Sequence, residues 1–487
     1  MIMTQPEPFR WLRHPEAEAY LLEHFYEFLA TMPRVRTFAR ILLERTGSPL
    51  FDWLDHVVLA DGHLPQSQLG ALGFQPEEVP TEPGSRVYHH PGTIFPRVVL
   101  RHETDAPPGT TVGVAMQVED VGHFLMANKS GRRVSSMPPV ESKDSVGAGS
   151  SRRDKPAYAP YRRARIWQRA GREFWVIERR GYAGFIPVEA TPDSPRPILT
   201  VDDYLSAFER WATRPRIFVN DRAGMEHTLK LARSLVSEMG TDTAAWIAFS
   251  AERAYWQGRN RAGQVQRARQ DSLGLGWANH DHHTFRSSRE VFPLLIQILE
   301  TFGFRPRERF YAGAEAGWGA QVMEQPVCRF AVFADVDLSP DEVEGDFAHS
   351  PLAPRQKLDT VGLWCALHGE SMLNAGLHHV AGRFDFDAIR DQLAESGVEM
   401  MRPFSDFPYL RQAFTRGEQW QVAPDRLERL AASGQIDDAQ RARFVEKGAI
   451  GSHLENIQRG EGFKGFNQQR VSDIIRRTDP RRESGAA

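Results

Sequence analysis

The sequence predicts an α+β fold assembled from repeated strand–helix units. Two observations carry this. First, three stretches share one shape: a short apolar strand carrying histidine, a helix, and a glycine followed by an apolar residue. Asp55-His56-Val57-Val58 leads to Gly73-Phe74. Asp281-His282-His283-Thr284-Phe285-Arg286 leads to Gly303-Phe304, and His378-His379-Val380-Ala381-Gly382-Arg383 leads to Gly397-Val398. The gap from histidine to glycine is 17 to 21 residues each time. Second, from Trp277 onward short apolar runs alternate with helical patterns.

The elements follow in order. Residues 15 to 46 read as helical, because Leu21, Leu22, Phe25, Phe28 and Leu29, then Phe38, Ile41, Leu42 and Leu43, recur at helical spacing. Strands are expected around Arg97–Arg101 and Val112–Val118. Residues 128 to 162, rich in Ser, Gly, Pro and basic side chains, read as a flexible loop. Ala164–Trp167 and Phe174–Ile177 flank Ala170-Gly171 as a hairpin. Residues 201 to 270 are mostly helical, with helix starts at Val201-Asp202-Asp203 and Thr241-Asp242-Thr243. Val291–Leu299 reads as a half-buried helix, and Arg329–Val336 and Val361–Leu367 as strands. Helices are expected over Asp385–Ser396, Pro424–Lys447 and Val471–Arg477, with a free tail after them. The domains drawn from this are 1–127, a helical start plus a degenerate module; 128–162, the loop; 163–270, hairpin and helical insertion; 271–475, a metal-binding domain; and 476–487, the tail.

Bulk properties narrow the function. A chain of 487 residues is long for one core. A net charge of −3 gives no reason to expect nucleic acid or an anionic membrane as partner. Two cysteines, Cys328 and Cys365, make neither a disulfide framework nor a zinc motif, so a cytoplasmic home is expected. The amino terminus lacks a secretory signal, and no window is apolar enough for a membrane span.

The histidine strands carry the chemistry. Alternate side chains of a strand share a face. His282, Thr284 and Arg286 therefore lie on one face, as do His379, Ala381 and Arg383. Downstream stands Glu455-Asn456-Ile457-Gln458-Arg459-Gly460. Two histidines and one carboxylate suit a non-haem Fe(II) centre with open positions. His282, His379 and Glu455 are the candidate ligands. An arginine four residues beyond a ligand offers a forked grip for a carboxylate. His56 is followed at that spacing by Ala60, so it is read as structural. His280, His283 and His378 are read as supporting or core residues, and Glu178 and Glu370 as fallback carboxylates.

These residues resemble a known family. His282 through Arg286, a helix and Gly303-Phe304 resemble the first metal strand of the 2-oxoadipate dioxygenase/decarboxylase family, of the vicinal oxygen chelate superfamily. His379 through Arg383 with Asp385-Phe386-Asp387-Ala388-Ile389 resembles its second metal strand, and Glu455 through Gly460 its third ligand motif. The same pieces are more distantly similar to 4-hydroxyphenylpyruvate dioxygenase, in Gly397-Val398-Glu399, Gly462-Phe463 and Asn467. The likeness covers about residues 275 to 470, with a degenerate copy over 20 to 105. His378, Ala381-Gly382 and Ile457 depart from the family's usual Asn, Thr-Pro and second acidic residue.

The resemblance implies βαβββ modules forming a half-open barrel with added helices. It implies Fe(II) on His282, His379 and Glu455, and an oxygenase that decarboxylates a 2-oxo acid, 2-oxoadipate to 2-hydroxyglutarate with CO2 release. The partners expected are that small molecule and O2. Arg286 is expected on the distal carboxylate, with Arg383 and Arg459 as helpers and Gln458 orienting substrate or a ligand. Two other readings remain open. An isomerase or lyase on the same scaffold would turn over without oxygen, and a non-catalytic metabolite-binding protein would hold no tight metal.

Overall fold

The computed structural model describes residues 11–129, 158–186, 199–467 and 479–481. Most of the expected loop over 128–162, all of the expected helix over 471–477 and most of the tail lie outside the described residues.

Two helices open the chain, α1 (Pro15–Thr31) and α2 (Pro33–Thr46), each with proline in its first turn, where a missing N–H costs nothing. Next come β1 (Leu54–Ala60), α3 (His63–Ala71), β2 (Gln75–Glu77), β3 (Ser85–His89) and β4 (Arg97–Arg101), one βαβββ unit. A second unit follows: β5 (Thr111–Gln117), α4 (Val121–Ala127), β6 (Tyr161–Arg169) and β7 (Arg172–Arg179). Together they form a sheet in the order β2-β3-β4-β1-β5-β7-β6. The β6–β7 hairpin forms where expected, but not with the helices that follow it. β7 pairs in parallel with β5, so the hairpin completes the first sheet.

Four helices cross next: α5 (Val201–Ala212), α6 (Asp221–Met239), α7 (Thr241–Gln257) and α8 (Arg261–Asp271). The start of α5 is fixed by a capping box between Thr200 and Asp203.

The carboxy-terminal half repeats the unit twice. The first copy is β8 (His280–Arg286), α9 (Phe292–Thr301), β9 (Arg305–Tyr311), β10 (Trp318–Gln325) and β11 (Phe330–Asp337). Helices α10 (Pro340–Glu344) and α11 (Thr360–His368) connect it to the second. That copy runs β12 (His379–Arg383), α12 (Phe386–Ala394), β13 (Ser405–Phe407) and β14 (Leu410–Phe414). An excursion of β15 (Gln419–Trp420), α13 (Pro424–Ala432), α14 (Asp438–Lys447) and β16 (Ala449–Ile450) precedes β17 (His453–Arg459). The sheet order is β13-β14-β17-β12-β8-β11-β10-β9. β8 and β12 meet antiparallel at its centre, and each pairs in parallel with the last strand of its own unit. This is the α+β architecture of βαβββ modules expected above.

Val361–Leu367 is the misread element: it is helical, within α11. Almost all of its side chains are buried, so its apolar run has no exposed stripe to reveal a helical period. The three glycines of the repeated shape have a common cause. Gly73, Gly303 and Gly397 have φ of 88°, 79° and 70°, the left-handed backbone that ends a helix at little cost to glycine. After α4 that conformation falls to Lys129, with φ 49°, which hides the fourth unit from a search for glycine.

Each sheet has two distinct faces. On the second sheet Phe285, Val332, Ala334, Val380 and Leu454 pack outward against the helical layer. Phe333, Ala381, Ile457, Phe310 and Trp318 fill the inner, concave side. On the first sheet Val57, Leu59, Val114 and Phe174 face α1 and α2. Among the described residues no helix is long and apolar enough to cross a membrane.

Candidate metal centre

His282 leaves the inner face of β8 and His379 the inner face of the adjacent β12. The parallel pairing of β12 with β17 sets Ala381 opposite Glu455, which brings the glutamate alongside. The three donor groups lie within 4.8 Å of one another, and all three residues are buried. His282 Nε2 is 3.1 Å and His379 Nε2 3.0 Å from Glu455 Oε2, and the two Nε2 atoms are 3.3 Å apart. Donors bound at right angles to an ion about 2.1 Å away would be about 3 Å apart. The donor set therefore fits one face of an octahedral ion, a 2-His-1-carboxylate arrangement.

The supporting contacts orient this set. The Nδ1–H of His282 donates to Asp281 at 3.0 Å, which turns the ring so that Nε2 faces Glu455. Arg459 clasps Asp281 with Nε at 2.9 Å and Nη2 at 3.0 Å. Gln412 Nε2 donates to the other oxygen of Glu455 at 2.9 Å. Burial works against charge on His282, but Glu455 and Asp281 outweigh it and hold the imidazole up at about 9. Burial likewise works against charge on Glu455, and the two histidines outweigh it, leaving the carboxyl at about 2. Burial dominates at His379, whose pKa is lowered.

A small cavity of about 50 Å³ opens on the three groups. Phe310, Phe333, Phe404, Phe414, Phe466 and Trp318 line it, with Thr284, Asp335, Gln412 and Asn467 as its polar points. At the cavity Asp335 Oδ1 and Gln412 Oε1 have no hydrogen-bond partner among the described residues, and behind Asp335 neither have Nε and Nη1 of Arg286. Unpaired buried polar atoms of this kind mark a place for a polar ligand or water.

The expected helpers are placed unequally. Arg286 lies behind Asp335, its Nε 3.8 Å from Asp335 Oδ2 and its guanidinium over Trp364 at 5.5 Å. Burial outweighs Arg286 and pushes the Asp335 carboxyl up to about 7. Arg383 lies at the other end of the barrel, because β12 runs antiparallel to β8. Arg459 is engaged by Asp281. Gln458 points away from the metal face and accepts from the backbone N–H of Phe386 at 2.9 Å, so it caps α12 and does not orient the site. Glu178 and Glu370 are held elsewhere, by the N–H groups of Val121 and Ser288. His283 packs on Phe249 on the outer face. Sequence reasoning missed Gln412 and Asp335. The signal for Gln412 was available: Leu410, Gln412 and Phe414 alternate onto one face, with the amide between two apolar side chains.

No protein-family model matches the chain, and no curated protein sequence matches it. Solved structures give faint likenesses. A mutant 4-hydroxymandelate synthase from Streptomyces coelicolor is 12% identical, with 88% of this chain and 99% of that one covered, at a TM-score of 0.27. Methylmalonyl-CoA epimerase from Mycobacterium tuberculosis is 12% identical over 38% of this chain and 89% of that one, at 0.22. BphC, a halotolerant catechol dioxygenase, is 8% identical over 84% and 87%, at 0.19. Likeness at this level carries no argument about activity.

Proposed function

We propose that the chain is a non-haem Fe(II)-dependent dioxygenase that decarboxylates a 2-oxo acid, with His282, His379 and Glu455 as the metal ligands. The observation that carries this reading is the convergence of two imidazoles and one carboxylate at 3.0 to 3.3 Å beside a cavity walled largely by aromatic rings. Three ligands on one face leave the opposite positions open. When bound, Fe(II) would supply a Lewis-acidic, redox-active centre able to take both the 2-oxo carboxylate end of a substrate and O2.

The chain's own residues have separable tasks. Asp281, braced by Arg459, holds His282 with Nε2 aimed at the ion position. Gln412 fixes the rotation of Glu455. The aromatic walls exclude water. Asp335 faces the cavity with a carboxyl at about 7, so it is partly protonated near neutrality and leaves Arg286 incompletely neutralised. That arrangement supports 2-oxoadipate, whose distal carboxylate would meet the unpaired donors of Arg286. The net reaction consumes one O2 and gives 2-hydroxyglutarate and one CO2. The density of aromatic side chains around the site favours a second reading, a 2-oxo acid with an aromatic or apolar tail.

Anaerobic loading with Fe(II), followed by O2-uptake and CO2-release assays with 2-oxoadipate and phenylpyruvate, tests the reading. O2-dependent CO2 release with either acid supports it, and the preferred acid separates the two tails. Metal-dependent turnover without O2 would favour an isomerase or lyase. Ligand binding without metal uptake would favour a metabolite-binding protein.

A further inference from the structure

A second cavity, of about 370 Å³, lies between the two sheets. It is distinct from the metal cavity, and the ring of Phe466 lines both. On the metal side that ring packs 5.1 Å from His282 and 4.5 Å from Phe333. On the other side Arg459 and Arg307 lie over it at 4.8 and 5.4 Å.

The crevice is cationic in a way its own acids do not cancel. Its lining carries Glu77, Asp281 and Glu324, and each is already engaged. Glu77 pairs with Arg97 at 2.7 Å, Asp281 with Arg459 at 2.9 Å and Glu324 with Lys464 at 2.9 Å. Arg307 pairs with Glu308 at 2.6 Å. Arg329 and Arg383 remain. Neither has a carboxylate within ion-pair distance among the described residues. Nη2 of Arg329 donates only to the Phe95 carbonyl, at 3.2 Å, and Nε of Arg383 has no partner. His89 Nδ1 and His90 Nε2, also in the lining, have no hydrogen-bond partner among the described residues.

Arg329 sits in the β10–β11 turn with φ 58°, the left-handed region where glycine is favoured. An arginine kept in strained backbone, with its side chain opening on a cavity, is the kind of outlier that accompanies function. Enclosure by protein first, and then the neighbouring Arg97, push its guanidinium down to about 10.

We propose that this crevice is a second ligand site, for a small dianion that lies between Arg329 and Arg383. Two surplus guanidinium groups match two negative charges, and the shared requirement is clustered oxygen acceptors, supplied by a dicarboxylate or by a phosphate. The site does not depend on the metal reading.

Calorimetric titration of the full chain with succinate and with inorganic phosphate, against chloride at equal ionic strength, tests the proposal. One of the two anions binds, and its identity separates the dicarboxylate from the phosphate source. Arg329→Gly keeps the left-handed turn without strain, so it folds, and it weakens binding at least about tenfold, as expected for one charge-assisted contact. Arg383→Gln does the same. His379→Ala binds the anion as the wild type does. The proposal is overturned if neither anion binds better than chloride, if Arg329→Gly binds as the wild type does, or if His379→Ala abolishes binding and so places the anion at the metal centre.

Discussion

Trp175 stands in the first sheet at the register position that Glu455 holds in the second. Ala115 pairs with Trp175 as Ala381 pairs with Glu455, and Val58 pairs with Gly113 as Thr284 pairs with His379. The framing is kept: His56 donates to Asp55 and Arg179 clasps that aspartate, as Arg459 clasps Asp281 beside His282. The first sheet thus retains one histidine and its Asp–Arg brace, while Gly113 and Trp175 stand where the second sheet has His379 and Glu455. Phe185 packs on His56 at 4.9 Å where the second sheet has its cavity.

One metal per chain follows from this. His56→Ala leaves metal content at one ion per chain, because the Asp55–Arg179 pair still holds the strand. Elemental analysis after anaerobic loading measures it, and a lower metal content in the variant than in the wild type would place a ligand in the first sheet.

Asp281 acts on the metal only through His282. Asp281→Asn removes the carboxylate that fixes the tautomer, and metal affinity falls by roughly 10- to 100-fold. Competition with a chromophoric chelator reads the change. An unaltered affinity would mean that the brace is not needed.

Affinity for metal depends on pH with a definite sign. The metal-free His282 is protonated below about 9, and an ion must displace that proton. Affinity therefore rises about tenfold per pH unit between roughly 6 and 9 and flattens above. The raised pKa also stabilises the metal-free chain below its ordinary value of 6.5, and that stabilisation fades as pH climbs through about 9. Chelator competition across pH 6 to 10 checks the slope. A flat profile would contradict the ion pair with Glu455.

Gln412 and Gln458 should separate cleanly. Gln412→Leu frees Glu455 to rotate and lowers metal affinity by roughly tenfold or more. Gln458→Ala removes a contact at the start of α12, costs about 1 kcal/mol of stability and leaves metal affinity unchanged. Chelator competition and urea unfolding, run on both variants, give the two readouts.

In the helical layer Glu252 is fully enclosed, with Arg214 at 2.7 Å and Arg216 at 3.0 Å. Burial works against its charge, and the two arginines outweigh it and hold the carboxyl down at about 2. Its contribution is therefore present above the unfolded value near 4.5 and is lost as pH falls toward 2. Glu252→Gln strands a buried arginine and costs about 3–5 kcal/mol in urea unfolding at neutral pH.

Much of this was legible in the sequence because strand period and helix-ending glycines are local signals. The strands that bring His282 and His379 together were legible in their flanking residues, and Glu455 in its motif. What escaped was set by pairing across the chain. The fourth unit hid because Lys129 takes the place of glycine and Gly113 the place of histidine. The antiparallel meeting of β8 and β12 sends Arg286 and Arg383 to opposite ends, which no i, i+4 spacing reveals. Gln458 caps a helix 72 residues earlier in the chain.

The most direct test of a metal centre at His282, His379 and Glu455 is Fe(II) uptake by the full chain under anaerobic conditions. The wild type is expected to hold one tightly bound ion per chain and His379→Ala to lose it, with folding intact by circular dichroism. Equal iron content in the two proteins would contradict that assignment.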